Sequence, residues 1–172
     1  MKGKNDISDK KNQRVKANVI ILSDRLVARA KELSDYIRSC TDSINVIGIA
    51  TNSQEVMFLA INQSVDFLII AGYLKNERSY GVIKELFEQQ KNCVPVHWAI
   101  LDSLILTLCQ KYNISLMFDR TLPKSDFIDY LKEHKDYEYE HDKEAPNTPT
   151  FLENKKAGKA WLEYLRKFKK SV

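Results

Sequence analysis

The sequence has few of the residues that stabilise very small or fibrous proteins. Its 172 residues include only three cysteines, five glycines and four prolines. The low Gly and Pro contents exclude a collagen-like chain and a Pro/Gly-rich disordered chain. The odd cysteine count, without CxxC spacing, argues against a disulfide framework and a zinc site. We interpret Cys40, Cys93 and Cys109 as structural, reduced thiols, which predicts a cytoplasmic protein.

Long apolar runs are also missing. The run VDFLIIAGYL is short, and VPVHWAILDSLILTL is interrupted by Pro95, His97 and Asp102. Neither reaches the roughly 20 apolar residues that a membrane span needs. The N-terminal stretch MKGKNDISDKKNQRVK lacks the apolar segment of a secretory signal. The sequence therefore predicts neither a membrane span nor a signal peptide.

Net charge is small, +4, but it is unevenly distributed. Residues 1–16 hold six basic and two acidic groups, and residues 155–172 hold seven basic groups and one acidic group. These ends carry +4 and +6, so residues 17–154 carry −6. We interpret this distribution as an acidic body with two basic ends, and an anionic partner is expected at the ends.

What the sequence does contain is a regular alternation of apolar runs and amphipathic segments. The β-branched runs predict strands at 17–23, 44–50, 65–71, 94–100 and 114–118. Apolar residues at helical spacing predict a helix after each strand, with N-caps from Ser23 or Asp24, from the turn 51–53, and from Asp102. Five such units predict an α/β, flavodoxin-like (βα)5 three-layer sandwich with a parallel five-stranded sheet.

The composition changes beyond Lys132. The stretch KEHKDYEYEHDKEAPNTPT is charged and poor in apolar residues, which predicts a linker. The last 22 residues place aromatic side chains on one helical face and basic side chains elsewhere, which predicts a C-terminal amphipathic helix. The predicted organisation is a flexible basic arm at 1–16, a domain at 17–134, a linker at 135–150 and a basic helix at 151–172.

Over about residues 17–134, the element order and several stretches resemble the receiver domain of bacterial response regulators. The resemblance is carried by IILSDRLVARAKEL, by GIATNSQEVMFLAINQSVDFLIIAGYL, and by VPVHWAI with ISLMFDRTLP. Receivers typically end strand one in an acidic pair, strand three in a phospho-accepting Asp and strand four in Ser/Thr, and follow strand five with Lys-Pro. The resemblance implies a regulatory module of two-component signal transduction.

The match fails at the positions that carry receiver chemistry. The resemblance assigns these degenerate positions to Ser23, Asp24, Ala71, Ile100 and Leu122. Ala71 has no oxygen nucleophile, and Asp24 alone offers too few hard oxygen ligands for magnesium. We therefore expect a pseudo-receiver: a non-enzymatic module with no cofactor and no bound metal. It would work without phosphorylation, through protein–protein contacts and as a homodimer.

Candidate partner-binding residues fall into two groups. The first surrounds the fourth helix, fifth strand and fifth helix, a face that receivers commonly use for dimerisation: Leu104, Tyr112, Phe118 and Tyr130. Plain core packing is the alternative for this group. The second lies in the terminal helix: Lys159, Trp161, Tyr164, Arg166, Lys167 and Phe168. That helix would dock on the acidic body or a second copy, or bind a partner, an anionic membrane surface or nucleic acid.

Two other functions stay open. A nucleic-acid-binding regulator would use the basic arm and tail, although no helix-turn-helix pattern is present. A small-molecule-binding flavodoxin-like protein would use Asp24, Asn52 and Tyr73 at the strand ends, although no phosphate-binding glycine loop accompanies them. We expect Asp24 to cap a helix rather than bind a ligand. We expect the lone His97 to be a core or surface residue rather than a catalyst.

Overall fold

The alternating apolar and amphipathic segments form five βα units. The structure, a computed structural model, describes residues 16–135. The strands are β1 (Ala17–Leu22), β2 (Ile44–Ala50), β3 (Phe67–Ala71), β4 (Val94–Ala99) and β5 (Leu116–Asp119). The helices are α1 (Val27–Cys40), α2 (Ser53–Ala60), α3 (Val82–Gln89), α4 (Ser103–Lys111) and α5 (Lys124–Glu133). The predicted arm to residue 15, the linker beyond residue 135 and the terminal helix lie outside the described residues.

The five strands form one parallel sheet in the order β2-β1-β3-β4-β5. Every residue of β3 and β4 is buried, as expected for central strands that are covered by helices on both faces. This order confirms the predicted flavodoxin-like fold. All strand carboxyl ends meet at one edge of the sheet, which we call the C-terminal edge.

Strand β3 begins two residues later than its apolar run. The Val65 N–H donates to the Gln90 side chain (2.6 Å), and the Asp66 carboxylate accepts from the Asn18 N–H (2.7 Å). The apolar pattern extends to Val65 because this side chain is buried, although its backbone pairs with a side chain rather than with a strand. Apolar runs therefore mark burial better than they mark ladder pairing.

Two of the predicted helix caps are confirmed and one is wrong. The Asn52 and Asp102 side chains accept from the N–H groups of Glu55 and Ile105, at 2.9 and 2.8 Å. Helix α1 begins only at Val27, and its N-cap, Leu26, makes no side-chain cap bond. Neither Ser23 nor Asp24 therefore occupies the cap position, because the turn after β1 is longer than the sequence pattern indicates.

The loop between β3 and α3 contains a short 3₁₀ helix, Glu77–Gly81, which the apolar periodicity does not predict. Its N-cap is Asn76, whose side chain accepts from the Arg78 N–H at 3.1 Å. Tyr80 is 1% exposed, so this polar segment inserts one aromatic ring into the core. A single buried ring among charged neighbours gives no periodicity, which is why the helix escapes detection.

The cysteines occupy two environments. Cys93 and Cys109 are buried, and burial raises the pKa of the Cys93 thiol to about 12. Cys40 is exposed at the end of α1 and its thiol donates to the Tyr36 carbonyl (2.8 Å). A structural role as a small apolar group therefore fits Cys93 and Cys109 but not Cys40. Within residues 16–135, no helix has both the length and the apolarity needed to cross a bilayer.

Candidate functional site at the C-terminal edge of the sheet

The structure brings three of the five degenerate receiver positions together. Ser23 and Asp24 directly follow β1, and Ala71 ends the neighbouring β3. Ser23 and Ala71 are fully buried. Ile100 follows β4 and is 48% exposed, while Leu122 lies in the turn after β5 and is 37% exposed. The first three positions therefore form the base of the edge, and the last two lie on its surface.

Ser23 links the two central strands by its hydroxyl group. The hydroxyl donates to the Ala71 carbonyl (3.3 Å) and accepts from the Leu26 N–H (3.0 Å). Its donor and one acceptor site are thus occupied by backbone groups. Ser23 is a buried connector between β1, β3 and the turn that leads into α1.

Asp24 holds the loop that follows β3. Its carboxylate accepts from the Lys75 N–H at 2.9 and 2.8 Å and from the Asn76 N–H at 3.2 Å. These contacts join residues more than 50 positions apart in the chain. Asp24 is therefore a positioning residue for the β3–α3 loop, and not the helix cap that we expected.

The magnesium ion that the receiver resemblance implies does not fit these residues. Asp24 directs both carboxylate oxygens at backbone N–H groups, and Ala71 supplies no oxygen from its side chain. Magnesium needs near-octahedral oxygen ligation. Within the described residues there is also no cluster of three His, Cys, Asp or Glu side chains suited to a metal ion.

Gly72 allows the chain to turn immediately after Ala71. Its φ of +74° lies in the left-handed region that side chains disfavour. A Cβ atom at this position would lie 2.7 Å from Cδ1 of Leu26. The Leu26 side chain therefore packs directly against the glycine backbone and covers the end of β3.

A cavity of about 380 Å³ lies beside these residues. Its polar and charged lining consists of Arg25, Tyr73, Asp102 and Arg120, and its apolar lining of Leu26, Gly72, Ala99, Ile100 and Ile105. The Arg25 guanidinium lies 5.0 Å from the centre of the Tyr73 ring, which is a cation–π geometry. The edge at which the resemblance places an acidic pocket is thus lined by two arginines and one aspartate.

Arg120 is the residue that directly follows β5. Counting back from Pro123 assigns the receiver lysine position to Leu122. In the structure β5 ends at Asp119, and the Arg120 N–H continues the sheet by donating to the Ala99 carbonyl (3.0 Å). The cation beside the strand end is therefore Arg120. Arg25 is not among the residues predicted for this site, although it lies only three residues after the end of β1.

His97 is a core residue, as one of the two expectations for it states. Its ring is fully buried, and Nε2 lies 3.0 Å from the Tyr80 hydroxyl. The same hydroxyl accepts from the Leu74 N–H (3.4 Å). Burial lowers the pKa of His97 to about 3. A neutral, enclosed imidazole has no access to a substrate.

The same network reaches the surface at α4. The Tyr80 ring stacks on Tyr112 with the ring centres 4.6 Å apart. The Tyr112 hydroxyl donates to the Glu77 carboxylate (2.7 Å), which also pairs with Lys111. These hydrogen bonds hold the pKa of Glu77 below its usual range. The 3₁₀ helix is thereby fixed to the carboxyl end of α4.

The predicted partner face around α4, β5 and α5 is only partly exposed. Leu104 is 47% exposed and Tyr112 is half-buried. Phe118 and Tyr130 are buried, and their rings pack 5.4 Å apart, with Phe127 beside Phe118. This placement corrects their assignment as partner contacts and favours the core-packing alternative, because α5 covers β5. The six candidates at positions 159–168 lie outside the described residues.

Exposed apolar side chains gather at the C-terminal edge. Among the described residues, seven large apolar side chains are exposed, and two of them, Phe58 and Ile61, lie on or beside α2. The other five lie on α1, on α4 and in the loops that follow β3, β4 and β5. We call this set the apolar rim: Val27, Tyr73, Ile100, Leu104 and Leu122. Apolar side chains concentrated in this way are typical of a binding surface.

The described part of the chain is electrically neutral. Residues 16–135 hold 14 basic and 14 acidic side chains, whereas residues 136–154 hold six acidic and one basic. Of the −6 that we assigned to the body, residues 136–154 therefore carry −5. This distribution removes most of the electrostatic reason for the basic tail to dock on the domain.

No protein-family model and no curated protein matches the sequence. Solved structures do match. The receiver domain of RcsB from Salmonella enterica serovar Typhimurium is 14% identical with a TM-score of 0.53, and the match covers 76% of this chain and 96% of that one. A DNA-binding response regulator of the LuxR family from Staphylococcus aureus is 11% identical with a TM-score of 0.55, covering 69% and 98%.

A third match has the same character. The receiver domain of an HD domain-containing protein from Pseudomonas fluorescens is 12% identical with a TM-score of 0.54, and the match covers 71% of this chain and 88% of that one. In a longer RcsB structure the match spans only 63% of the RcsB chain. At these identities the matches show a receiver-like fold, in agreement with the strand order.

Proposed function

We propose that this chain is a non-enzymatic regulatory module with a receiver-like fold, which acts in bacterial signal transduction through protein–protein contacts and without aspartyl phosphorylation. The observation that carries this proposal is Ala71 at the end of β3, beside an Asp24 whose carboxylate is bound to loop backbone. An alanine cannot form an aspartyl phosphate. Of the positions that would bind magnesium, Asp24 already accepts from backbone N–H groups and Ala71 has no side-chain oxygen.

Treatment with acetyl phosphate and magnesium tests the loss of phosphorylation. The full chain is incubated with both reagents, and its intact mass is recorded beside a receiver domain that retains the phosphoacceptor aspartate. We expect the control to gain one phosphoryl group and this chain to gain none. A stable phosphoryl adduct on this chain would sink the proposal.

The apolar rim supports protein contacts and, as the partner, a second copy of the chain. Leu104 is the rim residue on α4, the helix at which receivers commonly dimerise, and it is 47% exposed. Burying such side chains between two copies removes apolar area from water. Light scattering on the full chain is expected to report a dimer, and Leu104→Glu is expected to shift it toward monomer. Gln54→Glu, an exposed position on α2, is the matched control.

Nucleic-acid binding through the termini is the second candidate function. The observation that favours it is the placement of charge: +4 in residues 1–16 and +6 in residues 155–172, around a neutral domain. Binding of duplex DNA to the full chain would weaken steeply as salt rises, and replacing Lys159, Arg166 and Lys167 by Gln would weaken it further. Binding that is absent at low salt, or insensitive to salt, rejects this candidate.

A further inference from the structure

Two arginines line the cavity at the C-terminal edge, Arg25 and Arg120, and neither has an anionic partner among the described residues. Among the described residues, the ion pairs join Arg29 to Glu32 and Lys111 to Glu77, and neither involves Arg25 or Arg120. Arg120 is half-buried, so part of its hydration is lost without compensation from a carboxylate. Arginine side chains without a carboxylate partner at a cavity are suited to binding an anion.

We propose that this cavity binds a small organic phosphate, namely a phosphate monoester carried on a planar or apolar body. The planar donor fork of arginine matches the oxygens of a phosphate group in a bidentate way. The cavity volume of about 380 Å³ lies within the range of small-molecule sites, and inorganic phosphate alone leaves much of it empty. The body of the ligand contacts the apolar walls.

Those walls have a definite composition. Leu26, Ile100 and Ile105 give an aliphatic surface, and the exposed Tyr73 ring beside Arg25 offers a face for stacking. An aromatic base or ring fits between these groups, because aromatic side chains gain from offset stacking in addition to area burial. The site therefore combines an anion-binding side with an apolar side.

Asp102 supplies the opposing charge, and its substitution tests whether the ligand is an anion. Its carboxylate accepts from the Ile105 N–H (2.8 Å) as the N-cap of α4, while it also lines the cavity. With two arginines and one aspartate, the lining carries a net charge of +1. Asp102→Asn retains a capping side chain and removes the negative charge. This substitution is expected to strengthen phosphate binding.

The inference deepens the proposed function, since a ligand bound at this edge would replace phosphorylation as the input to the module. Binding itself is nevertheless independent of that function. A chain that neither gains a phosphoryl group nor binds an organic phosphate would retain the proposed function and lose this inference. A chain that binds the ligand and is also phosphorylated would lose the proposed function and retain this inference.

Calorimetric titration of the full chain with three probes tests the proposal. Adenosine 5′-monophosphate carries both the phosphate and a planar body, inorganic phosphate lacks the body, and adenosine lacks the anion. We expect saturable binding of the monophosphate at millimolar concentration or below, and binding at least about tenfold weaker for each of the other two, since each loses one side of the site. Equal binding of all three probes would overturn the two-sided site.

Substitutions then locate the binding. Arg120→Gln and Arg25→Gln should each weaken the monophosphate by about tenfold to hundredfold, the loss expected for a charge-assisted hydrogen-bonded pair. Asp102→Asn should strengthen it several-fold. Arg29→Gln, on α1 but outside the cavity lining, is the control and should leave binding unchanged. This control also measures how much an arginine outside the cavity contributes. It is needed because positive charge in general, including that of the basic termini, attracts anions without a defined site.

Two further results would overturn the proposal. One is the absence of saturable monophosphate binding at millimolar concentration. The other is binding that is reduced equally by Arg120→Gln and Arg29→Gln, which assigns the affinity to general positive charge. Circular dichroism of each variant shows whether it is folded, and the unchanged fold of Asp102→Asn keeps the sign test valid if an arginine variant is unstable.

Discussion

His97 is a buried titratable side chain whose environment makes a prediction about stability and pH. Its ring is enclosed in β4, with Tyr80 bonded to Nε2 and no partner for Nδ1 among the described residues. Burial disfavours the imidazolium, which is why the pKa of His97 falls to about 3. The unfolded chain binds this proton below about pH 6.5, whereas the folded chain binds it only near pH 3.

Stability should therefore fall as pH drops from about 6.5 toward 3, because the unfolded state takes up a proton that the folded state excludes. The His97 contribution is complete above the unfolded pKa and is lost below it. We expect His97→Gln to remove about 3 kcal/mol of the decrease between roughly pH 7 and pH 4. Urea unfolding of parent and variant measures it. Parallel stability curves for the two proteins would contradict this account.

Asp24 makes a second prediction at the residue scale. Asp24→Ala removes the acceptor for the Lys75 and Asn76 N–H groups and should lower the free energy of unfolding by about 1–3 kcal/mol. Hydrogen exchange should increase at those two amides. Asp35→Ala, at an exposed position of α1, is the control and should change little. Unaltered exchange at Lys75 and Asn76 in Asp24→Ala would show that the carboxylate does not hold this loop.

The turn between β3 and its loop makes a prediction at the scale of an element. Gly72→Ala forces a side chain into the left-handed region and into contact with Leu26, so it should destabilise the protein by about 1–3 kcal/mol. Gly81→Ala is the matched control, since no atom lies within 4 Å of its added Cβ and its φ is ordinary. Thermal unfolding compares them. Equal stability of both variants would contradict the packing of Leu26 over Gly72.

The elements themselves could be predicted because their signals are local. The apolar run INVIGIA matches β2, Ile44–Ala50, at both ends, and Asn52 and Asp102 cap α2 and α4 as their side chains indicate. Where a signal depends on distant residues, prediction failed. The Val65 N–H bonds to Gln90, and Tyr80 enters the core to reach His97, contacts that no local pattern encodes.

At the site, the sequence predicts which receiver residues are missing, but not the contacts that are found in their place. Ala71 follows from the resemblance, since a missing nucleophile is visible in one letter. The role of Asp24 could not be predicted, because its partners Lys75 and Asn76 lie more than 50 residues away in the chain. Arg120, and not Leu122, directly follows β5, because a turn separates the strand end from Pro123. In this turn Asp119 accepts from the N–H and the hydroxyl of Thr121. A tertiary contact therefore sets the role of Asp24, and a local turn sets the position of Arg120.

At the scale of the whole molecule, a neutral receiver-like domain is flanked by charged segments. The domain holds equal numbers of basic and acidic groups, and the basic residues concentrate at both ends of the chain. The C-terminal edge carries the apolar rim and two arginines, where the receiver resemblance implies an acidic, phosphorylatable pocket. Contacts with a second copy and with an organic phosphate are both proposed for this edge.

Calorimetric titration of magnesium into the full chain tests the central claim, that this edge of the sheet has lost its cation site. Asp24 is the one carboxylate left at the receiver positions, and backbone N–H groups occupy it. We predict no saturable binding at millimolar magnesium, and the same flat titration for Asp24→Asn. Saturable binding that Asp24→Asn abolishes would contradict the claim.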